Sequence, residues 1–530
     1  MKGILGLVVA AGFLIRLLVL LDVTANPRFV WHDPDSYAAK GLALAGDASG
    51  TGWEWSFDAV RHGVDGHDYA LPPLYPAFLS LFALGRGFPF TAQLGQLLLA
   101  TLTIVLIFWL GRALHSTRAG IIAAGAYAVW FPNVIAVWST MQEALYVPLV
   151  VLAFVLFLRA RDKPSWLRFA LAGTAFGVAA LTRSMPLYFL LPAMLLHVVL
   201  SRERRRSAAE AGVLLVGFLL LTVPYSVALS SHLGTPTFVE NHGSIRILEK
   251  YSIETGGRPA GVATIVPVLA RSLVESPGVF VSDLLTTART LARVNGGRLL
   301  QIYIAADSPT GALVWKSYAH LGGDLILILT LILAPFGFAW SRRRDQASFL
   351  LLWILVNVAL VAISGFGGAR LRAPFEPHLM VLAGVVLSGV GFNRVKVLSG
   401  AAACVSVLLG WVTLAQLPGS LAARADYGVD WPRVSGHKRA VMTEVSGFNL
   451  LAAHGAVHFE VRRPKAEMAS SSAELEVRLN GELVESGRLI GGGERLQYDW
   501  PIIELVYVEL RATRADRRDL PARLAVIPRR

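Results

Sequence analysis

Cysteine is nearly absent: Cys404 is the only one in 530 residues, and it lies in an apolar run. A single thiol excludes a disulfide framework and a thiolate metal cluster, and it leaves the redox compartment unread. Charge is scarce too. Asp, Glu, Lys and Arg make up 16% of the chain against 54% hydrophobic residues, and the mean hydropathy is +0.55. A soluble domain could not hide that much apolar sequence, so the composition implies a polytopic α-helical membrane protein. Internal repeats and low-complexity tracts are missing as well. That counts against a transporter or flippase, because carrier folds usually carry internal repeats and charges at mid-membrane.

The charge that is present leans one way, to a net +13. Such a balance can mark a nucleic-acid binder, but here the cations gather in short runs between apolar segments. That distribution is the orientation signal of a membrane protein, with the lipid bilayer and no nucleic acid as the implied partner.

Apolar runs of spanning length fall near 3–21, 90–111, 119–137, 142–158, 167–182, 185–200, 210–229, 321–340, 347–364, 376–392 and 397–416, about eleven transmembrane helices by the length criterion. The basic clusters occupy alternate gaps: Arg112 and Arg118; Arg159, Arg161, Lys163 and Arg168; Arg202 and Arg204 to Arg206; Arg342 to Arg344; Arg394 and Lys396. The positive-inside rule puts these in the cytoplasm with Lys2, and puts the loops at 22–89 and 230–320, the turn at 365–375 and everything after 417 outside. Pro72-Pro73-Leu74-Tyr75-Pro76 opens an apolar stretch reaching Leu84. Counted as a span it would invert every later cluster, so it reads as a helix lying on the outer face. Residues 1–25 have the outline of a signal peptide, but Arg16 inside the apolar stretch favours a retained first span.

After Leu417 the pattern changes. Alternating runs appear at Ala456–Val461, Ala473–Leu479, Glu482–Ile490, Leu505–Arg511 and Arg523–Ile527, with Asn480-Gly481 as a hairpin signal. The expected organisation is a transmembrane domain over 1–420 and an extracytoplasmic all-β domain, sandwich or jelly-roll-like, over 421–530.

The candidate chemistry sits at the outer boundary. In His32-Asp33-Pro34-Asp35-Ser36-Tyr37 two carboxylates follow the first apolar helix. Asp before Pro often caps a turn. However, His32, Tyr37, Lys40 and Glu143 fall on the same side, and several ionisable groups at one aqueous boundary suggest a catalytic or metal site. Glu143 has a second reading as a first-turn carboxylate favoured by the helix dipole. Arg370 and Arg372, in a glycine-rich turn, lie outside against the positive-inside bias. Guanidinium groups grip phosphate bidentately, although an ion pair with Glu376 or with lipid head groups is the alternative. Arg183 lands outside in the same way. Arg16 either snorkels or faces the bundle interior. The large loop carries Glu240, Asn241, His242, Glu249 and Glu254. With His32 and two carboxylates, His242 could complete a site for a divalent metal ion, but the spacing matches no dedicated motif.

Over most of residues 10–395 the chain resembles membrane glycosyltransferases of the GT-C superfamily, the group that includes bacterial relatives of protein O-mannosyltransferases and aminoarabinose transferases. The resemblance rests on Arg16, Asp33 four before Tyr37, Pro73-x-Tyr75-Pro76, Glu143 opening a helix and Leu181-Thr182-Arg183. The Gly243–Gly257 stretch and Arg370-x-Arg372-x-Pro374 follow in the same order. It implies a donor sugar on a polyprenyl phosphate, an acceptor glycan, lipid or protein at the cell envelope, and Asp33 as catalytic base. Many relatives have Asp-Glu adjacent where this chain has Asp-Pro-Asp, so the base stays open between Asp33 and Asp35. Arg370, Arg372 and Arg183 would face the donor phosphate; His32, Tyr37, Tyr75 and His242 would contact substrate or metal. A membrane anchor displaying the β domain is the third reading, but so many spans exceed what an anchor needs.

Overall fold

The computed structural model describes residues 2–25, 37–45, 57, 61–64, 67–83, 88–130, 133–134, 137, 141–234, 236–240, 274, 277–278, 281, 291, 311–364, 369–389 and strands between 440 and 528. His32, Asp33, Asp35 and His242 lie outside these residues, as does the expected span at 397–416. The described helices are α1 (Lys2–Ala25), α2 (Tyr37–Leu44), α3 (Leu74–Ala83), α4 (Phe90–Leu114), α5 (Thr117–Ala128) and α6 (Glu143–Asp162). Then follow α7 (Trp166–Ala180), α8 (Met185–Leu200), α9 (Arg204–Leu233), α10 (Gly311–Trp340), α11 (Arg344–Ser364) and α12 (Glu376–Gly389). Among the described residues, α1, α4, α6, α9 and α11 are the five helices long and apolar enough to cross a membrane, and five shorter apolar helices accompany them. The fold is helical and multi-span.

Two boundaries explain themselves. Ser116 and Ser165 cap α5 and α7, each hydroxyl accepting from the backbone N–H three residues on, at 3.2 and 3.3 Å. At the far end of α9, Gly234 turns the chain with a φ of 68°, the left-handed cap glycine adopts without strain. One boundary departs from the sequence pattern. The apolar run at 119–137 does not form one helix, because α5 ends at Ala128 and Trp130 leaves the helical path. Pro132 cannot continue a helix and restricts the residue before it, and the Trp130 indole is held instead by Glu376 at 2.7 Å. The Pro72–Leu84 stretch forms α3, ten residues, roughly half of what a hydrocarbon core requires.

Small residues set how closely the helices approach. A Cβ added at Gly173 of α7 would collide with the Leu214 carbonyl oxygen of α9, and one at Gly217 of α9 with the Ala170 carbonyl oxygen of α7. Gly173 and Gly177 form the small-xxx-small stripe that lets backbones touch where lipid offers no hydrophobic drive. At the centre, Phe154 of α6 lies 5.2 Å from Phe189 of α8, 5.7 Å from Trp353 of α11 and 4.5 Å from His378 of α12. This aromatic cluster ties four helices together.

The ends of the bundle differ in character. The basic gaps gather at one: Arg342 donates its backbone N–H to His115 at 3.4 Å, and Arg161 pairs with Asp345 at 3.0 Å. Arg343 pairs with Asp162 there, and Glu210 receives His197 and Arg206. At the opposite end Leu74 bonds to Leu181, Arg183 to Glu143 and Ser184 to Glu240. Among the described residues, the basic clusters from Arg112 to Arg344 thus share one end.

Ahead of α3 lies an antiparallel hairpin, β1 (Arg61–Val64) and β2 (His67–Ala70). Asp65-Gly66 between its strands is a two-residue hairpin dipeptide, the local signal for this pairing. Eight further strands lie between Ala440 and Pro528: β3 (Ala440–Met442), β4 (Val445–Leu451), β5 (Ala456–Arg462), β6 (Ala473–Leu479), β7 (Glu482–Ile490), β8 (Gly493–Asp499), β9 (Leu505–Arg514) and β10 (Leu524–Pro528). They form two four-stranded sheets, ordered β3-β10-β5-β8 and β4-β9-β6-β7, with antiparallel neighbours throughout.

Candidate active site

The broken end of α5 organises the end of the bundle opposite the basic gaps. A helix that stops inside a membrane leaves carbonyls without partners. Arg16 supplies them from α1: fully buried, it donates through Nη1 to Ala128 O at 2.8 Å and through Nη2 to Tyr127 O at 3.1 Å. Its guanidinium also lies 5.7 Å from the centre of the Tyr127 ring. The charged residue within the first span therefore faces the interior, where the negative end of a helix dipole favours it. Tyr127 in turn donates its hydroxyl to Asn133 at 2.7 Å.

Tyr37 and Tyr75 are brought together, their rings edge-to-face at 5.0 Å and both buried. Tyr75 donates to Gln96 Oε1 at 2.7 Å, and Gln96 Nε2 donates to Val137 O at 2.9 Å. A cavity of about 10 Å³ lies beside these groups, with Gln96, Thr103, Tyr127, Asn133 and Glu143 as its polar lining. That is room for one water and for no sugar.

Glu143 opens α6 and pairs with Arg183 from the α7–α8 turn: Nη1 to Oε1 is 2.9 Å, with the two side chains 5% and 12% exposed. The next residue, Ser184, gives both its backbone N–H and its hydroxyl to Glu240 Oε1. Tyr146, one turn into α6, is fully buried beside this pair of carboxylates and their arginine. The bond from Leu74 N to Leu181 O at 3.0 Å holds the turn against the start of α3.

Arg370 and Arg372 lie in a 3₁₀ turn, Ala369–Arg372, that leads into α12. Arg372 is buried. It donates through Nε to Glu376 Oε1 at 2.9 Å and through Nη1 to Leu291 O. The second oxygen of Glu376 accepts from Trp130 at 2.7 Å. Glu376 thus joins the phosphate-candidate turn to the broken end of α5, and its place in the first turn of α12 suits the helix dipole.

Of the residues singled out in the sequence, the structure joins Glu143 to Arg183, Tyr37 to Tyr75 and Arg372 to Glu376. Gln96, Trp130, Asn133 and Tyr146 belong to the same region and escaped the sequence reading. Gln96 alone carried a signal, as an uncharged polar residue inside a spanning run. Among the described residues no group of three His, Cys, Asp or Glu side chains could hold a metal ion.

Residues 70–229 match the family model of dolichyl-phosphate-mannose-protein mannosyltransferases. No curated protein matches the sequence. Among solved structures, the chain is similar to ArnT from Cupriavidus metallidurans bound to undecaprenyl phosphate, with 18% identity and a TM-score of 0.44, over 79% of this chain and 67% of that one. It is similar also to the oligosaccharyltransferase AglB from Archaeoglobus fulgidus in complex with an inhibitory peptide and a dolichol-phosphate. There the identity is 16% and the TM-score 0.44, over 78% of this chain and 54% of that one. The chain therefore spans about half the length of AglB.

Proposed function

We propose that the chain is a glycosyltransferase that moves a sugar from a polyprenyl-phosphate donor to an envelope acceptor at the outer face of the cytoplasmic membrane. One observation carries the reading. The stretch matched by the mannosyltransferase family, 70–229, is the stretch in which apolar helices carry the buried Tyr75–Gln96 and Glu143–Arg183 pairs at one end. Buried ionisable groups are expensive in a membrane protein and are retained for function.

The chemistry is a single displacement. Asp33 or Asp35 takes the proton of an acceptor hydroxyl. That oxygen attacks the anomeric carbon as the bond from this carbon to the phosphate oxygen breaks, through an oxocarbenium-like transition state. The electron pair leaves with the lipid phosphate, and the anomeric centre inverts. Arg370, Arg372 and Arg183 face the phosphate and stabilise its growing charge, so no general acid is needed. Glu376 and Glu143 orient Arg372 and Arg183 for this work. Tyr37, Tyr75, His32 and His242 border the substrate. A divalent cation would take its ligands from Asp33, Asp35, His32 and His242 and would supply electrostatic stabilisation of the phosphate. The strands of 440–528 belong to an extracytoplasmic sandwich of the jelly-roll kind over 421–530, a holder of the acceptor or a lid.

The test reconstitutes the full chain in vesicles with polyprenyl-phosphate hexoses, pentoses and aminosugars plus envelope glycans, and follows release of polyprenyl phosphate. The wild type releases it, and Asp33→Asn or Asp35→Asn slows release by about 10²–10⁴. Translocation of the intact lipid-linked sugar with no phosphate released would make the protein a flippase instead.

A further inference from the structure

The basic end of the bundle holds an arrangement that the transfer reaction does not use. The guanidinium carbon of Arg112, near the end of α4, lies 5.1 Å from the centre of the Trp109 ring, and that of Arg159, near the end of α6, lies 4.9 Å from the same ring. Two cations on one indole repel each other. Cation–π attraction stabilises each but does not neutralise the pair. Three arginines at this end are matched to carboxylates: Arg161 pairs with Asp345, Arg206 with Glu210 and Arg343 with Asp162. Among the described residues neither Arg112 nor Arg159 has a carboxylate partner.

The surface leading to this pair is apolar. On α4, Leu98 is 62% exposed, Leu102 47% and Trp109 36%. Their spacing puts all three on one face, which runs straight to Arg112. On α6, Leu149, Leu152 and Leu156 are partly exposed on the stripe that ends at Arg159. The two helices pack together, so two leucine tracks run side by side and end at two arginines with an interfacial tryptophan between them. Acyl chains fit the tracks, Trp marks the head-group level, and the pair of guanidinium groups wants one phosphate.

We propose that Trp109, Arg112 and Arg159 form a binding site for an anionic phospholipid of the leaflet at the basic end, with the phosphate between the guanidinium groups and the acyl chains along α4 and α6. The charge of the occupant follows from the two uncompensated cations, and its amphiphilic form from the leucine tracks. The site lies at the end of the bundle away from Glu143 and Arg183, and it does not depend on the glycosyltransferase reading.

The test is native mass spectrometry of the delipidated full-length protein titrated with phosphatidylglycerol, phosphatidylcholine or polyprenyl phosphate. Each cation beside a head group of net negative charge is worth about 1 kcal/mol, about fivefold in affinity, so the pair gives about twenty-five-fold preference for anionic phosphatidylglycerol over zwitterionic phosphatidylcholine. The Arg112→Gln/Arg159→Gln variant should lose that preference, the double Lys variant should keep most of it, and Trp109→Leu should weaken retention of both phospholipids. An unchanged preference in the double Gln variant, with its melting temperature in phosphatidylcholine equal to the wild type, overturns the proposal. So does a wild type in which polyprenyl phosphate displaces phosphatidylglycerol and the double Gln variant abolishes that displacement.

Discussion

Glu376 is the most consequential carboxylate among the described residues, because one side chain joins Arg372 to Trp130. Only 3% of it is exposed; Oε1 accepts from Arg372 Nε at 2.9 Å and Oε2 from Trp130 Nε1 at 2.7 Å. In Glu376→Gln the shape is kept, but one acceptor becomes a donor and the charge is lost. Removing one member of a buried pair costs about 3–5 kcal/mol, since the other charge stays buried. For a unit of this size roughly 2 °C accompanies each kcal/mol, so the melting temperature should fall by about 6–10 °C. Arg372→Met should cost a similar amount for the same reason. The double variant Arg372→Met/Glu376→Leu carries no orphaned charge, and a buried pair replaced by apolar residues is often neutral. It should recover most of the loss and keep the cost of the Trp130 N–H and the Leu291 carbonyl left without these partners, about 1–3 kcal/mol each at most. The assay is the thermal decay of the monodisperse peak in detergent for the wild type, both singles and the double. If the double loses the sum of the singles, the residues are not coupled and Glu376 does not orient Arg372.

The other predictions are briefer. Gly173→Leu should abolish a stable α7–α9 contact, since the side chain must enter the space of the Leu214 carbonyl; size-exclusion yield reads the loss, and Gly173→Ala should lose less. His115 is held below its ordinary pKa of 6.5 by burial and by Arg342. The unfolded chain therefore binds a proton that the folded one resists, and stability should decline as pH falls through about 6.5. A His115→Gln variant should show a shallower acid decline in a melting series, and an identical slope would refute the assignment. Glu143→Gln should lower turnover through Arg183 and leave the pH profile of transfer unshifted, whereas a lost acidic limb in kcat/KM would mark Glu143 as the base.

How much of this was legible in the sequence depends on the range of the interaction. Span location is a local property of hydropathy, so α8 was read as 185–200 and found at Met185–Leu200. The gathering of basic gaps at one end followed from a count of charges between runs. The early end of α5 was legible only in part: Pro132 interrupts the run from Ala119 to Val137, but the Trp130 partner that holds the departing chain lies 246 residues away. Pairings of that kind leave no periodic trace. Glu143 and Arg183 were both noted as outer charges, yet nothing in the spacing tells that they meet across 40 residues. Arg372 shows the limit most clearly. The sequence offered phosphate and Glu376 as rival partners, whereas the geometry makes Glu376 the group that fixes the guanidinium.

Close helix packing and the charged clusters are two parts of one device. The glycines let α7 and α9 touch, and from the α7–α8 turn Arg183 and Ser184 reach Glu143 at the start of α6 and Glu240 just beyond α9. At the basic end α8 delivers His197 and α9 delivers Arg206 to one carboxylate, Glu210 of α9. Each end is therefore pinned by ion pairs that a change in helix approach would break at once. The buried pairs, Glu143–Arg183 and Arg372–Glu376, contribute little net stability compared with apolar packing, but they penalise misplacement strongly. Their benefit is positional: an arginine locked to a carboxylate presents the rest of its guanidinium in a fixed direction, and preorganised charge is what the proposed transfer would require as the phosphate departs.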